Sequence, residues 1–259
     1  MASRVLKWSS LLPSHDQGRI MNETYHVGSY WGPRKETPEA CALRLGDFLT
    51  GMREVDPSFA RWFQPGRSRK DALTRPIELE PAELEKRVRR GKDRVVEEIG
   101  FRVEGWNGVG DDHDASGFLV TCGSHAARVS NACVITLPSL GPNADRVLTA
   151  HVLAAVLRVS AVAWEPSWGV ATSQAHRKLL DERGVRGAPR VGWVTYLEGR
   201  RGTVPPLPAP VRIEPVEDRG TLIILTPERF TVANPEHLAL AEQVRELLAG
   251  AGLLRPASP

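Results

Sequence analysis

With 259 residues, the chain is long enough to bury a sizeable core, and 41% hydrophobic against 25% charged residues is a globular balance that argues against disorder. A net charge of only +3 argues against a nucleic-acid binder with a concentrated basic stripe, and no apolar run approaches the ~20 residues that cross a bilayer. Arg4 and Lys7 precede a broken apolar segment with no small-residue cleavage site, and Cys41, Cys122 and Cys133 lack paired spacing, so a cytoplasmic protein with buried thiols is expected.

Residues 1–22 have no hydrophobic period and read as a disordered leader; Met21 is an alternative start to Met1. Tyr25–Trp31 reads as a strand closed by Gly32-Pro33. Thr37 is placed to cap a helix with Pro38 at its first position, and Cys41, Leu45, Phe48, Leu49 and Met52 draw its apolar stripe. Residues 56–80 are expected to be irregular around Phe59, Trp62 and Phe63, and 81–90 to be a short charged helix. Strands are predicted over Phe101–Trp106, Gly117–Thr121 and Ala132–Leu137, with a turn at Asn107-Gly108.

One long helix is expected over Asp145–Val162, with Leu148, Val152, Ala155, Val156 and Val159 on its apolar stripe. A strand over Trp168–Thr172, a helix near His176–Arg183 and a strand over Val191–Leu197 follow. The prolines from Pro205 to Pro210 require an extended connection. Val211–Glu217 and Thr221–Thr226 read as a hairpin, and Asn234-Pro235 opens a last helix. Strands mixed with helices and joined by hairpins give an α+β fold with a largely antiparallel sheet. One domain is expected over 23–254, which two closely packed halves would also satisfy, with a tail at 255–259.

Candidate chemistry is sparse. Asp111-Asp112-His113-Asp114 offers carboxylates and an imidazole to a metal, which would suit a metal-dependent hydrolase, but four consecutive residues do not readily face one ion. An acidic hairpin tip is the plainer reading. Cys122-Gly123-Ser124-His125 juxtaposes a thiol and an imidazole without a base held in place or an oxyanion site, so a strand end is expected there. The basic residues between Arg67 and Arg94 could serve a nucleic-acid binder, yet interleaved acids make them a solvated helix face. Phosphate-binding glycine loops, nucleophile elbows and metal motifs are absent from the sequence, so no enzyme, cofactor or metal is expected.

An ordered set of segments carries a resemblance. Tyr25–Glu36, Asp56–Phe63, Ser68-Arg69-Lys70, Trp106-Asn107-Gly108 and Thr121-Cys122-Gly123 form its first part. Trp164–Gly169, Gly192–Leu197 and Asn234–His237 complete it. Together they resemble the immunity protein 52 family over about residues 25 to 250. The resemblance implies an α+β antidote that neutralises a toxin encoded by the neighbouring gene, commonly one of the restriction-endonuclease-like nuclease type. It implies no catalytic residue, no membrane and no direct nucleic-acid partner. Between Glu97 and Phe118 the carboxylates of Glu97, Glu98, Glu104, Asp111, Asp112 and Asp114 face Arg102 alone, a net charge of −5, making this stretch the first toxin-facing candidate. The corners at Trp62 and Trp164 are the next.

Overall fold

A computed structural model describes residues 23–256 apart from 94, 128 and 183–187. The expected leader and the last three residues of the expected tail lie outside that description. Eight strands form one antiparallel sheet: β1 (Tyr25–Trp31), β2 (Phe101–Trp106), β3 (Gly117–Cys122), β4 (Asn131–Thr136), β5 (Trp168–Ser173), β6 (Val194–Glu198), β7 (Arg212–Val216) and β8 (Gly220–Ile224). Their order is β2-β3-β4-β1-β5-β6-β8-β7. The helices are α1 (Pro38–Val55), α2 (Arg69–Leu73), α3 (Pro81–Arg90), α4 (Pro142–Val147), α5 (Ala150–Trp164), α6 (Gln174–Glu182) and α7 (Pro235–Gly250). The α+β expectation holds, and among the described residues no helix is long and apolar enough to cross a membrane.

Local chemistry sets the helix starts. Thr37 Oγ1 accepts the Ala40 N–H (3.3 Å) ahead of Pro38, and Asn234 Oδ1 accepts the Glu236 N–H (2.9 Å) ahead of Pro235. The α1 stripe from Cys41 to Met52 is buried as its spacing predicts. The single helix expected over Asp145–Val162 is instead two. Leu148 leaves helical geometry, Thr149 is extended, and Thr149 Oγ1 accepts the Val152 N–H (3.3 Å) to start α5 afresh. Its buried stripe is also shifted, running through Leu153, Ala154, Leu157, Ala161 and Trp164. Helix α5 lies between the sheet and α1, so apolar residues occur on several of its sides and periodicity alone does not choose the deepest one. Strand β6 starts at Val194 rather than Val191: Gly192 N donates to Thr195 Oγ1 (3.0 Å), and the ladder to β5 begins at Val194 opposite Ala171.

Strand alternation divides the sheet into two unequal faces. On one, Phe118, Val120, Cys133, Ile135, Val27, Tyr196 and Leu222 are buried under α1, α3 and α5. Glu36 and Glu165 organise the rim of this layer. Arg34 (3.2 Å) and Arg44 (2.7 Å) pair with Glu36, while Arg44 (2.9 Å) and Arg219 (2.5 Å) pair with Glu165. Arg34 also donates to Trp164 O and Arg44 to Ala163 O, satisfying carbonyls at the C-terminus of α5, where cations are favoured. The Gly32–Glu36 and Trp164–Gly169 segments therefore act together as a structural clasp.

Both sheet edges are blocked. Beside β2, Phe63 and Trp106 exchange backbone hydrogen bonds (2.7 and 3.0 Å), Arg102 N donates to Gly91 O (2.9 Å), and Arg87 donates to Glu104 O. Strand β7 contains Pro215, which supplies no N–H, and its carbonyl accepts from Arg158 (2.7 Å).

Candidate partner-binding surface

The acidic stretch does not form one patch. Glu97 and Glu98 precede β2 and Asp111–Asp114 follow it, so the two groups stand at opposite ends of an edge strand, ~17 Å apart at ~3.3 Å per residue. Most of its carboxylates have local partners. Lys92 pairs with Glu97 (2.7 Å), Arg102 with Glu104 (3.3 Å), and Arg69 with Asp112. Arg69 also donates to Gly110 O and lies over the Trp106 ring, 5.7 Å from its centroid. Glu98 is exposed, and Asp111 Oδ1 accepts the His113 N–H (2.9 Å).

Asp114 departs from the expectation of an exposed loop charge. It is 7% exposed, and its Oδ1 accepts the N–H groups of Asn143 (2.8 Å) and Ala144 (3.2 Å), capping α4. Asn143 Nδ2 donates to Asp114 O (3.1 Å), and Ser139 N donates to His113 O (2.7 Å). The tip of the acidic loop is thereby clamped to residues 139–144. Sequence showed the charge but not the distant helix start, which lies about thirty residues on and meets it only after folding.

The two tryptophan corners are likewise interior. Trp62 (4% exposed) stacks on Phe59, and its ring edge meets Phe118 at 5.1 Å. Trp164 (0% exposed) stacks on Trp31 at 5.5 Å and packs against Phe48. Neither ring is offered to a partner: Trp164, the last residue of α5, and Trp62, just after the turn at Pro57–Phe59, both pack into the layer between helices and sheet.

The remaining chemical candidates are occupied structurally. Cys122 is buried beside Cys41; their hydrogen bond, then burial, pushes the Cys122 thiol far up, the reverse of what a thiolate nucleophile needs. The basic stretch is divided among internal pairs: Arg75–Asp71, Lys86–Glu83, and Arg89 with both Glu85 and Glu39. Arg87 is turned inward, and burial lowers its guanidinium to about 10. Among the described residues, no group of three or more His, Cys, Asp or Glu side chains is arranged to hold a metal.

What the sequence reading did not single out is the second face of the sheet. There β5, β6 and β8 are covered, with Val170, Thr172, Thr195, Leu197 and Ile223 all buried, while outward residues of β2, β3 and β4 are half-buried or exposed. Helix α6 packs on β5, and α6 and α7 line a common cavity with Leu180, Ala241 and Arg245. At the boundary, the Tyr30 ring lies back over Gly28 and stacks on Trp168, with centroids 4.5 Å apart. Beneath this boundary His26 is buried with Nδ1 unpartnered; burial, then Arg177 and Arg190, lowers its pKa to about 4. A signal was present in the strands: the outward positions Leu119, Ala132 and Val134 are apolar where a one-sided sheet normally alternates to polar.

The Tyr30 pose can be tested. A Cβ at Gly28 would stand 2.3 Å from Tyr30 Oη, at the movable end of that side chain. Gly28→Ala should therefore leave the fold intact and displace the ring from Trp168, at a stability cost of about 1 kcal/mol for the lost aromatic pair. Near-ultraviolet circular dichroism and a urea titration would report both. An unchanged aromatic spectrum would contradict the pose.

The family model of immunity protein 52 matches residues 23–257. In fold, the chain is similar to the Pseudomonas aeruginosa T6SS protein PA0821, at a TM-score of 0.56 and 12% identity over 92% of this chain and 76% of that one. No curated protein matches the sequence.

Proposed function

The chain belongs to the immunity protein 52 family, and we propose that it binds and neutralises a polymorphic-toxin domain encoded by the neighbouring gene, a nuclease of the restriction-endonuclease-like type. The observation that carries the immunity role is the match of the family along residues 23–257, essentially the whole folded unit. The fold likeness to a T6SS protein is in keeping with a role in competition between bacteria. On this reading residues 23–254 act as a single domain, and the protein works in the cytoplasm of the toxin-producing cell. It acts by occupancy rather than by catalysis and without a cofactor.

The chemistry of the candidate residues supports a non-enzymatic role. Asp114 is committed to a helix cap, Asp112 to Arg69, and the Cys122 thiol is held protonated. That leaves the rival reading of a hydrolase at Asp111–Asp114 without a convergent set. Ion pairs within the basic stretch weigh similarly against a nucleic-acid binder.

Co-expression with the adjacent toxin should restore growth, and the two proteins should co-purify at fixed stoichiometry. Tight affinity is expected, since a small free fraction of a nuclease harms its producer; immunity complexes of nucleases lie among the tightest known. Failure of rescue with both proteins folded would overturn the reading. Rescue from a toxin of another chemistry would keep the immunity role and remove the nuclease.

A further inference from the structure

The geometry points to the open half of the second sheet face as the surface on which the toxin docks, an inference that rests on the immunity reading above. Strands β2, β3 and β4, with the adjoining ends of β1 and β5, present Trp106, Leu119, Val134, Ala132, Tyr30 and Trp168 outward, each half-buried. The register sets them side by side. Leu119 is opposite Val134, which is opposite Gly28; Ala132 is opposite Tyr30, which is opposite Trp168. Helix α2 reaches this half only at its border, where Arg69 lies over the Trp106 ring, and Leu119, Ala132, Val134 and Tyr30 stay half-buried, whereas the opposite face is buried throughout these strands.

An outward sheet face that meets only water is ordinarily polar. Here the charged pair of the central rows, Arg102 and Glu104, is internally neutralised at 3.3 Å, and Thr121 and Thr136 are the neighbouring polar side chains. Five strands at ~4.8 Å spacing and ~17 Å of length give about 400 Å² of flat surface. Within that area the apolar side chains adjoin one another beside the Arg102–Glu104 pair, and clustered apolar side chains on a surface mark interaction sites, with tyrosine and tryptophan among the residue types that most often dominate them. The stack of Tyr30 on Trp168 fixes two such rings before binding, so less side-chain freedom is lost on association.

Charge and shape select the occupant. The neutral patch provides no track of cations for phosphates. A small molecule would need concavity, which a flat sheet face does not supply; a cavity of about 170 Å³ lies elsewhere, between α6, residues 188–191 and the end of α7. A protein with a complementary apolar surface remains, and the partner implied by the family is the toxin. A standard interface takes about 800 Å² from each side, so the patch supplies the centre and its rims the remainder. One rim is the clamped loop carrying Asp111 and Asp112, with Arg69 of α2 paired to it; the other is α6, which carries Arg177. The acidic loop, first in line from sequence, thus becomes a border of the interface.

Val134→Glu and Leu119→Arg place a charge at half-buried positions of the patch while leaving the buried face untouched. Each should weaken toxin binding by about 100-fold or more, as for a central contact, and reduce rescue in co-expression, with the circular dichroism of the free protein retained. Asp111→Asn with Asp112→Asn should slow association only severalfold, as for rim charges. Should the charged variants fail to fold, oxidative footprinting of the wild-type protein gives the answer: Trp106, Trp168 and Tyr30 should lose reactivity in the toxin complex. Undiminished binding by folded Val134→Glu, or unchanged footprints, would overturn this docking surface while leaving the immunity role intact. A wild-type dimer that Val134→Glu dissociates would also overturn it, assigning the patch to a second copy. Absence of any wild-type complex would instead strike at the immunity reading.

Discussion

Trp164→Ala should lower the free energy of unfolding by about 3–5 kcal/mol, a large share of the ~5–15 kcal/mol that holds a domain folded. The indole is fully buried at the end of α5, stacked on Trp31 at 5.5 Å and packed on Phe48 at 6.2 Å. Removing it opens a cavity among the helix, the central strand and α1, and backbone ties from Arg34 and Arg44 at this helix end restrain collapse into the void. Urea denaturation monitored by far-ultraviolet circular dichroism measures the change. Trp164→Phe, which keeps an aromatic ring in place, should lose markedly less. The experiment also separates two roles for this residue: a surface hot spot would leave unfolding unchanged and lose only toxin binding. A loss below about 1 kcal/mol would contradict its place in the core.

Acidification should destabilise the protein through His26. Its folded pKa of about 4 lies below the unfolded value near 6.5, so the unfolded chain binds the proton more readily. The stability contributed by neutral His26 is therefore full above pH ~6.5 and lost as pH falls toward 4. About 2 kcal/mol should be gone by pH 5 and about 3 kcal/mol near pH 4, as an order of magnitude. The groups responsible are the burial of the ring on the covered side of Tyr30 and the cations Arg177 and Arg190 nearby. Urea midpoints at pH 7, 6 and 5 should fall steeply for the wild type and much less for His26→Met, which has no proton to gain. Parallel slopes for the two proteins between pH 6.5 and 5 would remove His26 as the cause. The window above pH 5 matters because ordinary carboxylates titrate mostly below it.

Most elements and their kinds are written in local residue patterns. Thr37-Pro38 and Asn234-Pro235 are helix starts for reasons contained within four residues, and the Val216–Gly220 hairpin turns where Asp218-Arg219-Gly220 reads as a turn. The α+β class follows from that order of elements. The ordered family segments were also legible, and the structure gives some of them a shared reason in the clasp joining Glu36, Arg44, Glu165 and Arg219.

Which side chains reach solvent depends on contacts between elements distant in the chain. Asp114, Trp62 and Trp164 were read as surface candidates, and each is buried by an element far away in sequence: α4 for Asp114, β3 for Trp62, β1 and α1 for Trp164. The sheet order, which sets β1 between β4 and β5, likewise brings Ala132, Tyr30 and Trp168 into one row across chain separations that no local period spans. Helix and strand periods report which face of an element is apolar, but whether that face is covered depends on how other elements are arranged over it. For β2, β3 and β4, one apolar face is covered by this chain's own helices, and the other is left for a partner to cover.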